Sequence, residues 1–219
     1  MSKFETAWTN EETGEIHTPK ARMVYPTLLE ARRIKDKPDS KPKFSVSLLL
    51  PKASNIDVIK KELAAALTGK FGKEWAKNKK LLYPLLKTED QERLAQYAAE
   101  YPFLLRCSAN EGFPPFIYNP NTSRFEGQPS EIYSGRWCVA AGKFFAYDNV
   151  SKGVNFGLNR IQLLDHDEPI AGGRVATSSG FEKFDDAGAA PGGKPGGKPG
   201  STDSVFDGKK GDLDDEIPF

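Results

Sequence analysis

The sequence predicts a mainly β protein: a small closed barrel, one or two helices inserted after its first hairpin, and a C-terminal stretch unable to pack. Three observations point there. Two long strands, at residues 131–147 and 154–164, carry apolar side chains at period two, and the second changes phase between Leu158 and Ile161, as strands do when a sheet bends and closes on itself. The stretch "SNIDVIKKELAAALTGKFGKEW" has helical spacing instead. From about Gly180 the chain turns into "AGAAPGGKPGGKPG", too poor in apolar residues to offset its own ordering entropy.

Taken in order, the first fifteen or so residues are polar and expected to be loose. Strand character begins at "KARMVYPTLL", where Met23, Tyr25 and Thr27 alternate with Arg22 and Val24, and Pro26 argues for an edge position or a bulge. The loop "EARRIKDKPDSKPK" is dense in cations and prolines. It leads into "FSVSLLL", with Phe44, Val46, Leu48 and Leu50 on one face and Ser45 and Ser47 on the other. These two strands make a hairpin with a basic tip. In the helix Ile56, Ile59, Leu63 and Leu67 recur at helical spacing, and Ser54 with Asp57 resembles a capping box. A second short helix is expected near residues 89–99, carrying Leu94, Tyr97 and Ala98.

Strands resume at "YPFLLRCSAN", where Phe103, Leu105 and Cys107 alternate with Leu104 and Arg106. In the strand at 131–147 the odd positions hold Tyr133, Trp137, Val139, Lys143, Phe145 and Tyr147, and the even ones Ile132, Arg136, Cys138, Ala140 and Phe144. Gly142 is expected to mark a bulge or a sharp bend that exchanges the faces after it. The organisation is a folded domain at 1–180, a flexible linker at 181–211 and a separate terminal peptide at 212–219. At roughly 5–6 Å × √n, the linker and its acids span roughly 30 Å.

Composition narrows the function. With 38% hydrophobic and 28% charged residues, the chain can bury a core. Its longest apolar runs are a few residues, far short of the ~18 that span a bilayer, and "MSKFETAWTN" does not resemble a signal peptide, so a cytoplasmic protein with no membrane partner is expected. Cys107 and Cys138 have no metal-ligand spacing and are expected to be core residues on strands, and His17 and His166 stand alone. No phosphate-binding glycine loop, nucleophile elbow or zinc-hydrolase motif is present. The expectation is a protein that is not an enzyme and carries no cofactor or metal.

The net charge of +1 hides an asymmetry, because residues 201–219 carry −4 and the preceding body +5. A basic body suits a polyanion. Single-stranded nucleic acid needs a cationic groove for phosphates and rings on which bases stack, and cations and aromatics are interleaved here. The candidate DNA-binding residues are Arg22, Tyr25, Arg124, Tyr133, Arg136, Trp137, Lys143, Phe145, Tyr147 and Lys152, with the basic hairpin tip at Arg32, Arg33, Lys35, Lys41 and Lys43 as a phosphate clamp. Phe44, Phe103 and Phe156 are assigned to the core, and the lysine series Lys70, Lys73, Lys77, Lys79 and Lys80 to a solvated face.

The ending "DLDDEIPF" resembles the acidic, Ile-Pro-Phe-terminated tail of bacterial single-stranded DNA-binding proteins, a docking peptide for replication, recombination and repair enzymes. The segments "YPTLLEARRIKDKPDSKPKFSVSLLLPK" and "IYSGRWCVAAGKFFAYDNVSKGVNFGLNRIQLLDHDEPIAGG" resemble bacteriophage single-stranded DNA-binding proteins with an oligonucleotide/oligosaccharide-binding (OB) barrel, akin to the helix-destabilising proteins of podophages. That resemblance implies a five-stranded OB-type barrel, coating of unwound DNA without sequence specificity in phage replication and recombination, and recruitment of partner proteins by Asp212, Asp214, Asp215, Glu216, Ile217, Pro218 and Phe219. Physically, the Phe ring and terminal carboxylate suit a basic-rimmed apolar pocket. Leu213 and Glu216 depart from the bacterial pattern, where an aromatic and an aspartate are usual.

The same basic-aromatic surface also suits a strand-annealing recombination protein and, less well, a nucleic-acid-processing enzyme. Weaker binding of duplex DNA fits a body of +5, and a strand edge able to pair with a second copy fits a homodimer.

Overall fold

The computed structural model describes residues 4–33, 40–78, 80–149 and 151–170. Lys35, Lys79, the linker and the terminal peptide lie outside the described residues. The strands are β1 (Trp8–Thr9), β2 (Ile16–His17), β3 (Ala21–Arg32), β4 (Lys43–Leu50), β5 (Leu85–Lys87), β6 (Phe103–Asn110), β7 (Phe116–Tyr118), β8 (Trp137–Asp148) and β9 (Lys152–Leu163); the helix α1 spans Asp57–Phe71. All nine strands belong to one sheet.

Five of them close a ring. Antiparallel pairs join β3 to β4, β4 to β6, β9 to β8 and β8 to β3, while β6 and β9 run parallel through Cys107↔Phe156 and Ser108↔Gly157. This is the OB-type barrel expected from the sequence. Its interior holds Met23, Val46, Leu48, Leu105, Cys107, Cys138, Ala140, Phe156, Leu158, Ile161 and Leu163, each large aliphatic chain contributing about 1.5–3 kcal/mol of transfer free energy. Burial pushes both thiols up, Cys107 well above the usual thiol range, so they sit in the core as protonated apolar groups.

Three register irregularities accompany closure, one between β8 and β9 and two in β3. The β8–β9 register slips where Ala141 faces Arg160 but Gly142 faces Leu158. The extra residue is therefore Asn159 on β9, which explains the phase change from Leu158 to Ile161. The expected exchange of faces after Gly142 does not occur: Phe144 still packs against the core, on the side of Cys138 and Ala140. Gly142 is needed because its backbone lies against the Gly157 carbonyl, and a β-carbon there would also stand 2.8 Å from the Phe156 ring. The second irregularity is in β3, between Val24 and Thr27. Tyr25 takes φ 52°, so Met23 and Tyr25 do not share a face as the alternation predicts. Met23 is fully buried and Tyr25 is exposed.

The helix begins as expected but with a different cap. Asp57 N–H donates to Asn55 Oδ1 at 2.9 Å, and no side-chain cap at Ile56 or capping box from Ser54 forms. Ile59, Leu63 and Leu67 are its buried residues, and it covers β8 and β9. The second predicted helix is replaced by the 3-10 turns Thr88–Asp90 and Ala95–Tyr97. That segment folds over the outside of the barrel, where Leu94 and Tyr101 cover Val24, Leu49 and Leu104. This is why β4 and β6 are apolar on both faces at one end. The predicted strand at 131–147 starts only at Trp137, because Gly135 turns at φ 116° against the backbone of 168–170.

Candidate nucleic-acid interface

Beyond that cover, the outer faces of β4, β6, β9 and β8 are open. Pairing sets their contents. Ser45 lies opposite Ser108, Ser47 opposite Arg106, and Phe145 opposite Asn155, so one continuous face carries small polar groups with a cation and a ring. Asn155 donates to Ser108 Oγ at 2.7 Å, and Thr27 and Ser45 share a 2.8 Å hydroxyl contact. These bonds hold the floor of the face rigid.

Three depressions join along it. The first, about 380 Å³, holds Tyr25, Arg93 and Arg106. Sharing Ser47 and Arg106 with it, the second is about 450 Å³ and holds Arg32, Arg33 and Lys43. The third, about 550 Å³, shares Ser108 and Asn155 with the second and holds Phe113, Phe116, Phe145 and Arg124. The chain has thus built a groove with aromatic rings at both ends and cations between.

The rings project into solvent. Phe113 is 77% exposed, Phe116 50% and Phe145 47%, a combination that apolar side chains avoid unless something covers them. Phe113 and Phe116 flank two prolines, which hold the rings on a stiff loop at low entropic cost to a ligand. The Arg124 guanidinium lies 4.5 Å from the centroid of Phe116. Among the described residues Arg32, Lys43, Arg106, Arg124 and Lys143 make no ion pair with a carboxylate, which leaves their charge for an anion.

The sequence-selected residues among those described divide into three groups. Tyr25, Arg32, Arg33, Lys43, Arg124 and Phe145 line the groove. Lys143 and Tyr147 are on the same side of β8 as Phe145, Lys41 is exposed beside Lys43, and Lys152 at the start of β9 pairs at 3.1 Å with Asp148 at the end of β8.

Arg22, Tyr133, Arg136 and Trp137 instead surround the segment 164–168, which follows β9. Arg22 and Arg136 are 8% and 3% exposed, contrary to their expected place on the surface. Arg22 donates to the carbonyls of Gly135 and Glu168 and pairs with Asp167 at 2.9 Å. Arg136 donates to the Glu131 and Leu164 carbonyls at 2.9 and 3.4 Å and pairs with Glu131. Trp137 Nε1–H donates to Asp167 at 2.8 Å, and Tyr133 stacks on His166 and donates to the Asp167 carbonyl. These four residues fasten the chain as it leaves the barrel. The Glu168 N–H, with Trp137 and Arg22, holds the Asp167 carboxyl below its usual range, and Lys20 does the same for Asp165.

Sequence reading missed Arg106, Phe113 and Phe116. Arg106 alternates with Leu105 and Cys107, a signal that marks it as outward, and the "FPPF" run is a visible sign of rings on a rigid loop.

Comparison with known proteins shows the same fold and places the chain in a family. The structure of the single-stranded DNA-binding protein from bacteriophage Enc34 in complex with ssDNA shares the fold, with a TM-score of 0.63 and 20% identity over 77% of this chain and 96% of that one. The single-stranded DNA-binding protein gp2.5 of bacteriophage T7 has a TM-score of 0.50 at 10% identity, covering 70% of this chain and 87% of that one. Protein p50 of Acyrthosiphon pisum secondary endosymbiont phage 1 is 28% identical over 186 residues, 80% of this chain and 95% of p50. The model of the family described as "Enterobacter phage Enc34, ssDNA-binding protein" matches residues 14–190. With a match that spans most of its length, the chain belongs to the Enc34 ssDNA-binding protein family.

Proposed function

We propose that this chain is a phage single-stranded DNA-binding protein that coats unwound DNA without reading its sequence, acting by binding and not by catalysis. The connected groove carries the reading. Phe113, Phe116 and Phe145 at one end and Tyr25 at the other offer faces to bases, and Arg32, Arg33, Lys43, Arg106 and Arg124 offer charge to phosphates. Stacking contributes about 1–3 kcal/mol per base and tolerates any base, since each has a π-face. In a duplex those faces are hidden. Binding therefore traps strands that open transiently and lowers the melting temperature of the duplex, the property that would serve phage replication and recombination.

In this reading Lys35, Lys41, Lys143, Tyr147 and Lys152 extend the charge and contact beyond the groove. The terminal peptide from Asp212 to Phe219 recruits replication and recombination proteins. Its acids also compete for the basic groove when DNA is absent, since the last nineteen residues carry −4.

The test is a titration of fluorescent oligo-dT, and of a duplex of equal length, with the full chain and with a chain ending at Lys210, at two salt concentrations. A salt-weakened preference for the single strand that survives truncation, with partner binding lost, supports the reading. Equal affinity for duplex and single strand, or a large loss of affinity on truncation, contradicts it.

A further inference from the structure

A fourth depression, of about 300 Å³, lies past Arg124 on the far side of the aromatic end of the groove. Val139 and Ala141 line it from the outer side of β8, Tyr118 from β7, and Arg160 and Gln162 from β9. It shares no residue with the third depression. What links the two is β7. Phe116 and Tyr118 are two residues apart on this strand, so they share a face and are separated by about 6.6 Å, and Arg124 stands over both rings, 4.5 Å from Phe116 and 5.8 Å from Tyr118.

Arg124 is held there by its loop. Asn119 Nδ2 donates to the Arg124 carbonyl at 3.1 Å, and Gln162 Nε2 donates to the Pro120 carbonyl at 2.9 Å, tying the loop to β9. The pocket's arginine is neutralised. Arg160 is paired with Glu15, whose carboxylate is buried, and the Gln162 amide is engaged. An apolar floor, an aromatic wall and a neutralised cation suit an uncharged heterocycle better than a phosphate.

We propose that this depression is a second nucleobase subsite, and that Arg124 clips the phosphate between a base stacked on Phe116 and the next base seated against Tyr118. The inference rests on the reading of the groove as a single-strand site and extends it by one position around the barrel. Arg124 is then shared by both subsites, whereas Tyr118 and Val139 serve only the second.

The test uses the full chain and oligo-dT of graded length, about 4 to 16 nucleotides, the range that one OB fold covers. Tyr118→Leu removes the stacking face, and Val139→Glu puts a carboxylate on the pocket floor without touching Tyr118. Both variants are expected to bind the shortest oligomers as the parent does and the longer ones about tenfold more weakly. In the parent, a 5-iodouracil oligomer irradiated on the protein is expected to cross-link to the peptide containing Tyr118. Parent-like affinity at every length, or an equal loss at every length, overturns the second subsite. If the parent itself fails to prefer single strands, or if Phe145→Ala leaves its affinity unchanged, the reading of the groove fails first and takes the subsite with it.

Discussion

Phe145 and Trp137 both lie on β8, and the sequence offers both as candidate DNA-facing rings. The structure separates them, and the separation can be measured. Phe145 is 47% exposed in the groove. Replacing it with alanine removes one stacking platform, about 1–3 kcal/mol of binding, or roughly 5- to 150-fold in affinity. About half of its side chain is buried, so folding loses only about 1 kcal/mol, a melting shift of about 3 °C for a domain of this size. Trp137 instead packs at 6.5 Å from Tyr101, lies under Lys20 and Arg22, and donates to Asp167 at 2.8 Å. Trp137→Ala forfeits that packing and a charge-assisted hydrogen bond, together about 3 kcal/mol, or about 9 °C. Its effect on affinity, measured well below the melting temperature, is expected to stay within about twofold, since the ring is off the groove. Oligo-dT titration and thermal melts of both variants make the assay. A Phe145→Ala protein that binds like the parent, or a Trp137→Ala protein that loses affinity without a fall in melting temperature, would refute the division of the two rings.

Tyr25→Gly and Tyr25→Ala should weaken oligo-dT binding equally, but denaturant unfolding should show the glycine variant more stable by about 1 kcal/mol, because φ 52° strains a residue with a β-carbon. Gly142→Ala should cost about 3 kcal/mol in the same measurement, since the new methyl has the Gly157 carbonyl and the Phe156 ring in its way. Arg106→Gln should lower the slope of log affinity against log salt by about 0.7, one phosphate contact on a single strand, without loss of stability, because the Arg106 side chain is exposed and donates only to Gln91 among the described residues. Asp167 has a folded-state pKa below the ~3.9 of an unfolded chain. Its contribution is therefore complete above that pH and is lost as pH falls through the folded pKa. Melts from about pH 6 to about pH 3 should show that acid-side loss, reduced in Asp167→Asn.

The barrel was legible because its interior alternates. Phe44, Val46 and Leu48, then Cys138 and Ala140, then Phe156 and Leu158 before Ile161 and Leu163, each trace one wall of the core. The groove was less legible, for a physical reason. A ring that stacks on DNA and a ring that fastens the chain end have the same composition and the same cationic neighbours. What separates Phe145 from Trp137 is the segment at 164–168, which returns to cover one and not the other, and no local pattern encodes that return. Arg22 and Arg136 misled in the same way, because buried guanidinium groups that cap carbonyls look like phosphate ligands in a sequence. Leu104 illustrates the converse case: its outward position is occupied by an apolar residue because the turns at 88–97 fold over it.

The central claim is that single-stranded DNA lies in the groove across β4, β6, β9 and β8. Hydrogen exchange of the full chain with and without oligo-dT tests it most directly, peptide by peptide. The account predicts slowed exchange at 104–117 and 143–157 and in the base of the basic hairpin, with 133–137 and 164–168 unchanged. Protection concentrated at 133–137 and 164–168, with the groove peptides unaffected, would contradict it.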